Sequence, residues 1–372
     1  MTPSFDSTLF IILTITGICT LILIGYYLIV FHIPNNKSTD NGTKIPISVI
    51  VAAKNERENL INHLPSLIGQ NYPNFEIVVV NDGSYDGTKE LLDQMALKEK
   101  KLSVVHIELE EQYQKGKKFA LTLGIKAAKY EQLLFTDADC RPCSDQWIQL
   151  MANQFVSHDI VLGIAPLNTS NTLLGSIINF ETLHTAIQYL GYANKKQTYM
   201  GVGRNLGYTK TIFFENKGFA SHQHIMSGDD DLFIQEAAKN KSIGYSLDPN
   251  SFVYSDSPKK VKQWIKQKIR HLSTSKFYHL KFKLFLGIYA LTQLVWYGSI
   301  ITFLCLDLSL WYWIIPCIGL KWLIQWIIFG KFALQIQRKK IAFALPIYDI
   351  LFSLYLLFFG IIKPFTKPTT WN

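Results

Sequence analysis

Two hydrophobic rhythms alternate along this chain. Residues 9–31 read LFIILTITGICTLILIGYYLIVF without a charge, and residues 284–306, 309–330 and 341–362 are three further apolar stretches. About 20 apolar residues cross a bilayer as a helix, so each stretch predicts a membrane span. Lys321 and Asp349 interrupt the third and fourth. An ionisable group inside a span is expected to face protein or a water-filled cavity. Between the first and second spans the pattern changes to short bursts. IPISVIVAA at 45–53 is a near-continuous β-branched run, which predicts a strand buried on both faces. A helix follows from Arg57 to Ile68, then a second buried strand, FEIVVV, at 75–80. The pattern continues with a helix from Lys89, a strand over 103–107, a helix over 117–129 and the strand QLLFTDAD. Such β-α-β-α alternation predicts an α/β domain with an open, mostly parallel sheet.

Ligands of such sheets bind beyond the carboxyl ends of the strands. Polar and acidic residues stand at these ends: Asn55 and Glu56, then Asp82 in NDGSYDGT, then Asp137 and Asp139 in FTDADC. Two carboxylates one residue apart at a strand tip suit Mg²⁺ or Mn²⁺ carrying a diphosphate, because such ions take few protein carboxylates and leave positions for phosphate oxygens. Neither GxGxxG at the first βα turn nor GxxxxGK[ST] occurs, and GVGRNLG at 201–207 has the wrong spacing. Cys140 and Cys143 form a single CxxC, short of the four ligands of a zinc site. His222 and His224 are read as hydrogen-bonded or surface residues.

At 372 residues the chain is 48% hydrophobic and 17% charged, with mean hydropathy +0.13. It is too poor in charge for an ordinary soluble enzyme, where about 25% is usual. The first span lacks a positive flank before it, with Asp6 preceding and Lys37 and Lys44 following. This favours an uncleaved anchor with its N-terminus outside and the polar middle in the cytoplasm of a multi-pass cell-membrane protein. Lys331, Arg338, Lys339 and Lys340 then also lie inside and Asp307 outside, whereas Lys363 and Lys367 run against the pattern. The net charge of +9 is concentrated in PKKVKQWIKQKIRHLSTSKFYHLKFK at 258–283, which holds nine Lys or Arg and no acid. Val261, Trp264, Ile265, Ile269 and Leu272 share one face of a helix there. The segment predicts a basic amphipathic helix on the anionic leaflet, with Trp264 and Tyr278 as interfacial anchors. No nucleic-acid recognition motif accompanies the charge. The expected organisation is an anchor at 1–32, a linker at 33–44, a catalytic domain at 45–257, the interface helix at 258–283, three spans within 284–363 and a tail at 364–372.

The order VNDGSYDGT, GKKFAL, FTDAD, SGDDDLF and QKIRH resembles the membrane-integrated family 2 glycosyltransferases with the GT-A fold, a Rossmann-like, mostly parallel sheet. The resemblance covers about residues 45–275 and implies the following roles. Glu56 and Asp82 would contact the nucleoside of a sugar nucleotide, and Lys117 its phosphates. Asp137 would serve donor and metal, with Asp139 the more direct ligand of Mg²⁺ or Mn²⁺. Asp230 would be the general base, while Asp229 or Asp231 caps the helix that follows. Gln267 and Arg270 would belong to a QxxRW signature whose fifth residue is here His271. The missing Trp argues against synthesis of a long polymer. The implied activity is inverting transfer from a nucleotide-diphosphate sugar, a UDP-sugar first, to a lipid or lipid-linked glycan. A processive polysaccharide synthase and a catalytically inactive membrane scaffold are the alternatives.

Overall fold

The computed structural model describes residues 7–34, 44–107 and 116–366. Most of the linker expected at 33–44 and of the tail at 364–372 lies outside these residues. The chain forms two compact units. One holds Asn35–Ile178 and Lys196–Phe277; the other holds Met1–Pro34, Asn179–Lys195 and Tyr278–Lys367.

Among the described residues the first unit contains ten strands: β1 (Ile47–Ala53), β2 (Phe75–Asp82), β3 (Leu102–Ile107), β4 (Gln132–Asp137), β5 (Cys140–Pro142), β6 (Ile160–Leu162), β7 (Leu167–Asn168), β8 (Leu206–Thr209), β9 (Ile243–Tyr245) and β10 (Val253–Asp256). Seven of them form one sheet in the order β3-β2-β1-β4-β8-β6-β9; β5, β10 and β7 form a second, small sheet. Every residue of β1 and β2 is buried, which is why both read as unbroken apolar runs. Helices Arg57–Ile68, Thr88–Lys98 and Lys117–Ala127 follow β1, β2 and β3. The last packs so closely on the sheet that a Cβ on Gly124 would sit 2.7 Å from Ile50 Cγ2.

One reversal shapes the carboxyl edge. β1 to β4 are mutually parallel where they pair, whereas β8 runs antiparallel to both β4 and β6. Pairing Phe135 with Leu206 therefore brings the residues just before β8, Gly203 to Asn205, to the edge where β4 ends in Asp137.

Among the described residues the second unit contains four helices long and apolar enough to cross a membrane: Ser7–Val30, Leu280–Leu306, Ile315–Gln335 and Leu345–Ile362. The third and fourth start later than the hydrophobic pattern predicts. Asp307 caps a 3₁₀ turn at Leu308–Trp313, and a short separate helix occupies Lys339–Phe343. Pro316 and Pro346 then stand in the first turns of the two long helices, where the missing N–H costs nothing. The basic stretch at 258–283 is likewise not one helix. It is helical at Val261–Ser273, makes a 3₁₀ turn at Thr274–Phe277, and its end is absorbed into the helix starting at Leu280.

Lys321 and Asp349, which interrupt the third and fourth apolar stretches, form a fully buried ion pair. Asp349 also accepts hydrogen bonds from Gln293 (2.9 Å), Gln325 (2.7 Å) and Tyr297. The Lys321 ammonium lies 4.6 Å from the Trp296 ring centre. The node thus ties three spans together. Asp349→Leu is expected to lower the unfolding temperature of the detergent-solubilised chain strongly. Breaking a buried pair costs about 3–5 kcal/mol, whereas Lys321→Met combined with Asp349→Leu should recover most of the loss.

Candidate active site

The acidic residues are placed by turns at the ends of the parallel strands. After β1, Asn55 adopts φ +55°, a left-handed conformation that Asn tolerates. Its Oδ1 accepts from Tyr85 N at 3.0 Å, and its own N–H donates to Ser84 Oγ at 2.8 Å. The turn after β1 is thereby fastened to the turn after β2. Glu56 begins the next helix and accepts from Asn59 Nδ2 at 2.6 Å. Burial lifts its carboxyl above the ordinary range; Asn59 opposes this, and the like charges of Asp139 and Asp137 add to it. Asp82 closes β2 as a buried carboxylate, with the Lys54 ammonium 3.9 Å away.

Asp137 ends β4, and Asp139 follows two residues on. Asp137, Asp139 and Cys140 each offer one atom within 4.8 Å of the others. The Asp139 side chain keeps solvent contact, yet surrounding protein and the charge of Asp137 raise its carboxyl, against the pull of the Cys140 thiol, Arg204 and Lys117. Burial raises the Cys140 thiol well above its usual range, so it stays protonated and is a poor ligand.

Lys117 opens its helix and bridges two acidic segments. Its Nζ lies 2.8 Å from Asp137 Oδ1 and 3.0 Å from Asp229 Oδ2. Burial alone would lower this ammonium, but the two carboxylates outweigh it and hold it well above the ordinary range. Burial likewise disfavours the Asp229 charge, and Lys117 reverses the balance, leaving its carboxyl below the ordinary range. The adjacent Lys118 points elsewhere. It donates to the carbonyls of His222 (2.7 Å) and Ile225 (2.9 Å), and burial pulls it down to about 8. It pins the loop that leads into the acidic triple. Gly228, at φ +101°, makes the final turn of that loop, and a Cβ there would meet Leu232 Cδ1 at 2.6 Å.

Within the triple the three carboxylates have different partners. Asp230 Oδ2 accepts from Gly203 N at 3.0 Å, and its Oδ1 accepts from Asp231 N at 2.8 Å. Burial, then the charges of Asp229 and Asp231, push its carboxyl up to about 7. Asp231 is buried and accepts from Leu232 N and from Thr274 Oγ1. The cap expected of Asp229 or Asp231 therefore falls to Asp230, which is the N-cap of helix Asp231–Ala237. Asp229 is instead the partner of Lys117.

Gln267 and Arg270 lie half-buried on Val261–Ser273, whose C-terminal end is tied to the triple through Thr274. His271, in the position of the signature Trp, is exposed. His222 is buried and bonded to Ser221 Oγ, whereas His224 is exposed, and neither joins the β4 carboxylates.

Residues 48–213 match the model of Glycosyl transferase family 2. The chain carries a family 2 glycosyltransferase domain. Glycosyltransferase AglE of Haloferax volcanii is 28% identical over 211 residues, covering 54% of this chain and 63% of that protein. Poly-beta-1,6-N-acetyl-D-glucosamine synthase of Staphylococcus aureus is 30% identical over 171 residues, covering 45% of this chain and 39% of that one. The chain thus spans less than two thirds of either relative. Mannosyltransferase PcManGT from Pyrobaculum calidifontis, solved in complex with GDP-Man and Mn²⁺, shares the fold at TM-score 0.54 and 16% identity, over 92% of this chain and 99% of that one.

Arg204 and Asn205, in the GVGRN stretch before β8, also bear on this geometry. Arg204 donates to Ser255 Oγ and to Ala165 O while its charge bears on Asp139. Asn205 is fully buried, accepts from Trp147 Nε1 and donates to the carbonyls of Ile164 and Ser251, each at 2.9 Å. It fixes the backbone that presents Gly203 N to Asp230. A cavity of about 580 Å³ lies away from this constellation, at the amino ends of β1 to β3, beside Lys44, Tyr72 and Lys101.

Proposed function

We propose that this domain transfers a sugar from a nucleotide-diphosphate sugar, a UDP-sugar first, to a lipid or lipid-linked glycan, with inversion at the anomeric carbon. The observation that carries this reading is the Asp230 carboxylate. It is held by Gly203 N and its own helix, with its pKa raised to about 7, and its neighbour Asp229 is joined by Lys117 to the β4 tip. A base tuned near neutral pH is suited to taking the proton of an acceptor hydroxyl.

In the proposed reaction the acceptor oxygen bonds the anomeric carbon as its bond to the diphosphate oxygen breaks. The electron pair leaves with the nucleoside diphosphate, and the hydroxyl proton passes to Asp230. Glu56 and Asp82 contact the nucleoside, while Lys117, Gln267 and Arg270 face the diphosphate. Asp137 and Asp139 form a hard oxygen set, which fits Mg²⁺ or Mn²⁺; such an ion, when bound, screens the charge of the leaving diphosphate. PcManGT with GDP-Man and Mn²⁺ supports that choice. The four apolar helices and the Lys/Arg distribution support a multi-pass cell-membrane protein with a cytoplasmic catalytic domain. Helix Val261–Ser273, with Lys259, Lys260, Lys262 and Lys266, would rest on the anionic leaflet.

Processive polymer synthesis is the second reading, favoured by the similarity to poly-beta-1,6-N-acetyl-D-glucosamine synthase and opposed by His271. Membranes containing the chain, incubated with a panel of labelled sugar nucleotides, should move one label into the organic-extractable fraction. Label retained in a long water-soluble polymer would favour the second reading. Failure of every donor to label any product would overturn both.

A further inference from the structure

Asp137 is asked to do two things with one carboxylate. In the proposed function it is a ligand of the divalent cation, yet its Oδ1 lies 2.8 Å from the Lys117 ammonium. The same ammonium holds Asp229 at 3.0 Å. Lys117 is thus the cation at the junction between the β4 tip and the acidic triple, and its side chain is 19% exposed. A divalent ion at the Asp137–Asp139 pair would stand within a few ångströms of that ammonium, with both acting on one carboxylate, and like charges so close repel strongly. The backbone of Lys117 is fixed, because Lys118 is bound to the 222–225 loop. Its side chain is a flexible four-carbon stem carrying a point charge, which can turn to a new anion without the helix moving.

We infer that Lys117 is a placeholder cation: it neutralises Asp137 and Asp229 until the donor and its divalent ion arrive, then yields Asp137 to the ion and carries its charge to the diphosphate. This rests on the assignment of Asp137 and Asp139 as the cation site. It makes the ion and Lys117 competitors before the donor binds and allies afterwards. Removing the lysine charge should therefore have effects of opposite sign on the two ligands.

The test uses the full chain in lipid nanodiscs. Mn²⁺ binding without nucleotide is followed by the electron paramagnetic resonance signal of free Mn²⁺, and UDP binding at saturating Mn²⁺ by calorimetry. Lys117→Gln is expected to bind Mn²⁺ about tenfold more tightly than wild type and UDP about tenfold more weakly. Lys117→Arg, which keeps the charge, should bind Mn²⁺ like wild type, so that altered folding in the Gln variant is not mistaken for the effect. Asp139→Asn should lose Mn²⁺ binding. Unchanged or weaker Mn²⁺ binding in Lys117→Gln, with the expected loss in Asp139→Asn, overturns the placeholder alone. Mn²⁺ binding that survives Asp139→Asn overturns the cation assignment and the placeholder with it.

Discussion

Asp230→Asn is expected to lower the transfer rate by about 10²–10⁴-fold, the usual contribution of a general base. Donor affinity should stay within about twofold of wild type, because the base acts on the acceptor and the loss belongs to the transition state. Asn preserves the local structure, since its Oδ1 can still cap helix Asp231–Ala237 or accept from Gly203 N. The same variant makes a prediction about stability. The Asp230 carboxyl is raised in the folded state, from 3.8 to about 7. The stability this group contributes is full below pH 3.8 and is lost as pH rises through about 7. Asp230→Asn should therefore gain thermal stability relative to wild type as pH rises from about 4 to 7, with no further gain above. If Asp229→Asn is inactive while Asp230→Asn transfers normally, the base is the wrong member of the triple.

Asp139→Asn is expected to reduce turnover by about 10³-fold, and chelation of divalent cations should have an effect at least as large. The leaving diphosphate carries several negative charges, and Lys117 and Arg270 alone offset them incompletely. Asp137→Asn should cost less, because Asp139 is expected to be the more direct ligand of the cation. Turnover measured with Mg²⁺, with Mn²⁺ and with excess chelator checks both statements. Full activity in chelator would remove the cation from the account.

Much of the fold was legible because its signals are local. Helix Arg57–Ile68 falls on the residues that its pattern predicts; β1 and β2 read from their β-branched runs and β4 from its apolar Leu133–Phe135 core, all buried along nearly their whole length. The positions of Glu56, Asp82, Asp137 and Asp139 follow from the same runs, since each stands at or just beyond a strand end. What sequence reading missed depends on partners far apart in the chain. Gly203 reaches Asp230 only because β8 runs antiparallel to β4. Asp231 is held by Thr274, 43 residues on, which leaves Asp230 as the cap. Asn205 and Arg204 lie in the glycine-rich stretch before β8, and their hydrogen-bond partners come from Trp147, Ser251, β10 and the segment around Ile164. The basic stretch at 258–283 looked continuous because its charge is continuous. The Ser273 and Thr274 hydroxyls, however, bond back to the carbonyls of Arg270 and His271 where the helix gives way to a 3₁₀ turn.

The proposed transfer needs Asp230 as a base poised near neutral pH, and the pH dependence of turnover at saturating donor and cation tests this most directly. Between pH 5 and 9, wild type should rise about tenfold per pH unit at the acid end and level off above about 7, following ionisation of a single group. A rate that is flat across this range, or one that levels off near the ordinary carboxylate pKa of about 4, would contradict the account.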